Sequence, residues 1–133
     1  MKHLFIIALL FFIGTTACKT TQKVKQNPRS TIETALPDMI KMMETENYTT
    51  FFNTYVYPDD LEQMTQKKSL EELIKNFVEN GKAENLLNAL KAAQKLSPFY
   101  NETKDEAIYK KEPTGLKKDL ILKKLNGFWY IAN

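Results

Sequence analysis

Side chains able to do chemistry are few in this sequence, and the gaps narrow it more than the residues present. The one histidine is His3 and the one cysteine is Cys18, both near the start of the 133-residue chain. Residues 19–133 therefore hold no imidazole and no thiol. This removes Ser-His-Asp and Cys-His catalysis from that stretch, and with them the usual zinc sites. The glycines stand apart at 14, 81, 115 and 127, so no Gly-rich phosphate loop can form. Carboxylates and phenols remain. Asp59, Asp60 and Glu62 could hold a hard cation or share acid–base work. Their place after Pro58 fits a helix start better, with Asp59 as the cap and Glu62 three residues on. Glu102, Asp105 and Glu106 read as turn residues, and no segment has EF-hand spacing. No metal site and no cofactor are expected.

Aromatic rings form the other constellation. Tyr48, Phe51, Phe52, Tyr55 and Tyr57 crowd one short stretch, and Phe99, Tyr100, Tyr109, Phe128, Trp129 and Tyr130 lie toward the C-terminus. Phe51, Phe52 and Tyr55 share a helical face. A set drawn from both groups (Tyr48, Phe51, Phe52, Tyr55, Tyr100, Tyr109 and Trp129) could line an apolar pocket with phenols for orientation. The same rings could simply fill the core of a domain of this size.

The elements that must position them read as helices first and strands last. Leu36, Met39, Ile40 and Met43 have helical spacing, with Pro37 suited to a first turn and the helix ending near Glu46–Asn47. Residues 49–56 resume as a short aromatic helix. Ser69 with Glu72 makes a capping box, and behind it Leu70, Leu73, Ile74, Phe77 and Val78 form the stripe of a core-facing helix that Asn80-Gly81 stops. Ala83, Leu86, Leu87, Leu90, Ala93 and Leu96 mark another helix, closed before Pro98. Strands are expected at 99–101, 106–111, 118–125 and 128–132, with a turn at Pro113-Thr114-Gly115 and a hairpin at Asn126-Gly127. Alternation in the last strand separates Phe128 and Tyr130 from Trp129 and Ile131, so one pair faces the helices and the other faces solvent or a partner. Helices followed by an antiparallel meander of about four strands is an α+β architecture.

This order, with the ending Gly127-Phe128-Trp129-Tyr130-Ile131 and the break at Glu44-Thr45-Glu46-Asn47-Tyr48, resembles the cone-shaped NTF2-like domains found in small bacterial lipoproteins. The resemblance implies helices packed into the concave face of a curved sheet. Enzymes of that kind use His-Asp or Tyr-Asp pairs in the cone, and the first cannot be built here.

The N-terminus reads as an address. Lys2 precedes an apolar run from Leu4 to Ile13, followed by small residues, which is the order of a secretory signal. As a helix that run would span about 15 Å, half a bilayer core. Thr15-Thr16-Ala17-Cys18 resembles a bacterial lipobox, departing from it at Thr15, where an aliphatic residue is usual. The resemblance implies cleavage after residue 17 and acylation of Cys18; an intermolecular disulfide or a free thiol are the other uses of an odd cysteine. Residues 18–30 then form a tether, with basic charges alone at Lys19, Lys23, Lys25 and Arg29, and residues 31–133 a single domain. Because inner-membrane and surface-exported lipoproteins often carry acidic residues after the cysteine, the lipoprotein resemblance implies, for a tether without them, the periplasmic side of the outer membrane.

The net charge of +3 arises from 19 basic and 16 acidic residues spread along the chain, too even for a nucleic-acid-binding face. Together these features lead us to expect a lipid-anchored envelope protein acting as a non-catalytic binding or interaction module. Its partners would be the membrane and a small apolar ligand or another envelope protein, with a homodimer open. The alternative is a small NTF2-like enzyme using carboxylate and tyrosine groups in a pocket.

Overall fold

The computed structural model describes residues 24–132, so Cys18 and the signal-like segment lie outside the described residues. A 3-10 turn, Pro28–Ser30, leads into α1 (Ile32–Glu44), α2 (Tyr48–Tyr55), α3 (Pro58–Thr65), α4 (Leu70–Glu79) and α5 (Lys82–Ala93). Then come β1 (Phe99–Tyr100), β2 (Glu106–Tyr109), the short α6 (Lys111–Thr114), β3 (Leu120–Leu125) and β4 (Phe128–Ala132). The four strands form one antiparallel sheet in the order β1-β2-β3-β4. The architecture is α+β, helices first, as the sequence reading expects.

α1 is the central helix. Thr31 caps it by accepting the Thr34 N–H, and Ile32, Ala35, Leu36, Met39, Ile40 and Met43 are all buried, at the spacing of one helical face. The helix begins earlier than expected, so Pro37 sits inside it, on the exposed side. Its ring nitrogen leaves the Glu33 carbonyl without the usual donor. The helix ends at Glu44 with Thr45 as its cap, and Glu46 takes a left-handed φ of 56° while the Glu46 and Asn47 N–H groups bond back to the Met43 and Met42 carbonyls. That Schellman arrangement reverses the chain into α2 without a glycine.

Strand pairing follows side-chain alternation. Ala107, Tyr109, Leu120, Leu122 and Trp129 are buried against the helices, in one core with α1, α2 and α5. The β3–β4 hairpin turns at Asn126 and Gly127, both with positive φ (51° and 83°), as the Asn-Gly signal implies. A Cβ at Gly127 would meet nothing within 4 Å, so Gly127→Ala isolates the conformational cost. We expect a loss of about 1–2 kcal/mol in urea unfolding with an unchanged slope; a neutral effect would mean the turn relaxes to another type.

Three local expectations are corrected. Strand β2 stops at Tyr109, and the expected turn at Pro113-Thr114-Gly115 is the end of α6. Asp119 accepts the Lys111 N–H at 2.9 Å, starting this turn of helix, and Gly115 ends it with φ 75°. The buried Thr114 hydroxyl donates to the Lys110 and Lys111 carbonyls. Asp59 is not the cap of α3: Tyr57 holds that position, Pro58 is the first helical residue, and Asp59 and Asp60 lie in the first turn. The stripe of α4 does face the core, but only in part: Leu70, Leu73, Ile74 and Phe77 pack against it while remaining partly exposed, and Val78 is exposed. Its Ser69 cap does form, accepting the Glu72 N–H at 3.2 Å.

Ordered structure also reaches back before Thr31. Arg29 donates to the Thr54 carbonyl and the Tyr130 hydroxyl, each at 3.2 Å, and lies 4.5 Å from the Phe128 ring centre. This cation–π stack covers Phe128 and Tyr130 on the sheet face opposite Trp129, so the last of the basic residues assigned to the tether belongs to the domain.

Candidate functional site

The incompletely buried stripe of α4 marks the site. Leu73 and Phe77 face a groove of about 570 Å³, completed by Phe51 and Phe52 of α2, Met64 of α3, Leu86 of α5 and Ile131 at the end of β4. Its volume lies within the ~300–1,000 Å³ of ligand sites. The floor is aromatic: Phe52 and Phe77 meet edge to face at 5.2 Å, and Tyr48, off the lining, stands edge-on to Phe77 at 6.0 Å. A parallel bridge between Val56 and Ile131, with the Tyr57 N–H donating to the Ile131 carbonyl at 2.8 Å, ties the end of β4 to the α2–α3 junction. The groove therefore sits where helices and sheet meet, built on ordered backbone. Polar groups on its lining are Asp60, Lys68, Asn76, Asn80 and Lys82.

A smaller hollow of about 280 Å³ lies between α1 and β1–β2, with Tyr100, Tyr109, Glu33 and Leu36 among its lining. Burial first, then the neighbouring Tyr100 and Glu33, push the Tyr109 phenol up to about 12. Tyr100 is raised too, by burial and by Glu33. Both phenols therefore stay protonated at neutral pH, able to donate hydrogen bonds and unsuited to act as bases.

Of the aromatic set singled out from the sequence, Phe51 and Phe52 line the groove and Tyr100 and Tyr109 line the hollow. Tyr48, Tyr55 and Trp129 line neither. Trp129 is buried and packs 6.4 Å from Tyr100. Tyr55 is fully buried, and its hydroxyl donates to Asp38 at 2.5 Å, joining α2 to α1. Burial first, and then this carboxylate, raise the Tyr55 phenol far above its ordinary value.

The acidic groups have structural work. Asp105 Oδ1 accepts from Asn101 and Thr103, while Asn101 Oδ1 accepts the Asp105 and Glu106 N–H groups, closing the β1–β2 turn. Those side-chain bonds, Asn101 first, hold the Asp105 carboxyl below the usual range. Glu106 pairs with Lys123 across β2–β3 at 3.9 Å. Among the described residues no group of His, Cys, Asp and Glu has the make-up of a metal site, and no helix is long and apolar enough to cross a membrane.

The groove residues that sequence reasoning did not select for the site include Val56, Met64, Leu73, Phe77, Leu86 and Ile131. A signal for them existed. α3 offers only Leu61 and Met64 as large apolar side chains, too little to bury the α4 stripe that follows it. Comparison with known proteins finds no match: no family model fits the chain, and neither a curated protein nor a solved structure is significantly similar to it.

Proposed function

We propose that this chain is a lipid-anchored cell-envelope protein, held through acylated Cys18 at the periplasmic side of the outer membrane, and that its domain is a non-catalytic module binding an apolar ligand. One observation carries the binding reading: α4, whose apolar stripe has the spacing of a core helix, buries it only in part, and Leu73 and Phe77 wall an open groove. A stripe of that kind is stabilised when something apolar covers it. The helices-then-meander order and the ending at Trp129 support placing the domain among NTF2-like folds.

The Tyr55–Asp38 contact supports a second reading, an enzyme using a carboxylate and a phenol. Against it, neither residue lines the groove or the hollow, and the raised phenol is a poor base.

Native mass spectrometry of the chain purified gently from a bacterial envelope tests both parts. We expect an acyl adduct at Cys18, absent from Cys18→Ser, and a separate mass of a few hundred daltons lost on denaturation. An unmodified Cys18 would overturn the anchor; a bare domain would move the weight to a protein partner.

A further inference from the structure

The side chains that alternate with the buried Ala107, Tyr109, Leu120, Leu122 and Trp129 form the outer face of the sheet. Phe99, Ile108, Ile121 and Ala132 are cross-strand partners in one row over all four strands, and Leu125 pairs with Phe128 at the hairpin end. Ile108, Ile121, Leu125 and Phe128 are partly exposed and belong neither to the core nor to the side chains packed on it, and Phe99 is 63% exposed. Cations stand beside the rings. Arg29 lies 4.5 Å from the centre of Phe128, Lys110 5.8 Å from Phe99, and Lys123 5.9 Å from Tyr57, which meets Tyr130 edge-on. Apolar rows with Lys and Arg beside aromatic rings have the make-up of a surface that lies at head-group depth on a bilayer. Lys123 and Lys110 are matched by Glu106 and Asp119, at 3.9 and 3.2 Å, so of these cations Arg29 alone adds net charge to the face.

Further charge arrives with the chain that enters there. Lys19, Lys23, Lys25 and Arg29 are the charged residues of positions 19–32, with no Asp or Glu among them. Asn27 accepts the Arg29 N–H at 3.0 Å in the turn that lays Arg29 on Phe128 and Tyr130, so the chain joins the domain at its outer face. A coil as long as the stretch from Cys18 to Arg29 has an end-to-end distance of roughly 18 Å, against about 30–35 Å for the width of a domain of this size. A lipid on Cys18 therefore holds the outer face, and not the helical layer, nearest the bilayer. We propose that this face rests on an anionic phospholipid surface, with Phe99, Ile121 and Phe128 at head-group depth and the helices turned away. This inference rests on Cys18 being the lipid anchor.

Once Cys18 is acylated, a cysteine introduced elsewhere is the only free thiol. The full acylated chain, labelled with an environment-sensitive fluorophore at Ile121→Cys or Lys75→Cys, is reconstituted into vesicles of phosphatidylethanolamine and phosphatidylglycerol. Ile121 belongs to the outer face, whereas Lys75 is exposed on α4. We expect the label at Ile121→Cys to emit at shorter wavelength and to be quenched by spin-labelled head groups, and the label at Lys75→Cys to keep the spectrum of water. Replacing phosphatidylglycerol with phosphatidylcholine should lower the ratio of docked to undocked protein at least fivefold. Aqueous spectra at both positions, with the acyl mass present, would overturn the docked face and leave the anchor standing. An unmodified Cys18 would overturn both. Equal docking on neutral vesicles would remove the anionic surface from the proposal. A blue shift at Ile121→Cys in the Cys18→Ser chain without vesicles, growing with protein concentration, would give the face to a second copy instead.

Discussion

Phe51→Ala is expected to destabilise the domain by about 3–5 kcal/mol, a large share of the ~5–15 kcal/mol typical of a whole domain. Phe51 is 1% exposed. Its ring lies 6.2 Å from Phe52 and 6.1 Å from Tyr55, and it also lines the groove. Truncation removes its apolar burial and leaves a void between α2 and the core. Phe77 provides the contrast. It is a phenylalanine of the same groove, packed on Phe52 and Tyr48 but only partly buried. Phe77→Ala should cost only about 1–2 kcal/mol, since part of the ring already meets water. Urea unfolding of both variants gives the comparison. Equal losses would show that the groove is closed in solution, with Phe77 as fully covered as Phe51, and would remove the main support for a binding site.

Alkaline pH is expected to unfold the domain through two phenols. Tyr109 is raised to about 12, and Tyr55 is raised beyond it, both from an ordinary value near 10. A folded-state value above the unfolded one means that the unfolded chain loses its proton first. The contribution of each phenol is complete below pH 10 and declines above it. Each group lowers stability by about 1.4 kcal/mol per pH unit in that window. From pH 10 to 12 the two together remove on the order of 5 kcal/mol. Both side chains are almost fully buried, at 0% and 2% exposure, so solvent screens little of this. Denaturant unfolding at pH 9, 10, 11 and 12 measures it. Tyr55→Phe and Tyr109→Phe should each remove about half of the phenol-dependent slope, while lysine titration affects all variants alike. Tyr55→Phe should also lose about 1–2 kcal/mol at neutral pH, where the hydroxyl donates to Asp38. A slope unchanged in both variants would mean that the phenols ionise within the folded state.

Much of the fold is written in short-range chemistry. The Asn126-Gly127 hairpin needed only two residues that tolerate positive φ, and Ser69 needed only a free N–H three residues on. The face of α1 was legible because one continuous stripe sits against the core. Misreadings arose where two local rules competed. Pro113 and Gly115 suit a turn, but they equally start and stop a short helix once Asp119 supplies an acceptor for Lys111. Pro37 suited a first turn until Thr31 proved to cap the helix earlier.

What the sequence determined by itself is therefore the main elements other than α6, their order, and the chemistry that residues 19–133 lack. The tertiary structure decided which apolar surfaces would remain uncovered. The stripe of α4 has the same spacing as that of α1, and spacing reports only that a face is apolar. Whether that face is buried depends on how much apolar surface its neighbours bring. α1 has α2, α5 and the sheet around it, while α4 packs in part on α2 and α5 and otherwise meets a polar α3 and a groove. The same holds for Arg29, whose place on Phe128 and Tyr130 requires β4 to arrive from a hundred residues away, and for Asp38, which meets Tyr55 only when α1 and α2 fold back on each other. Local propensity acts over a few residues, whereas burial and pairing are set by surfaces that chain reversal brings together.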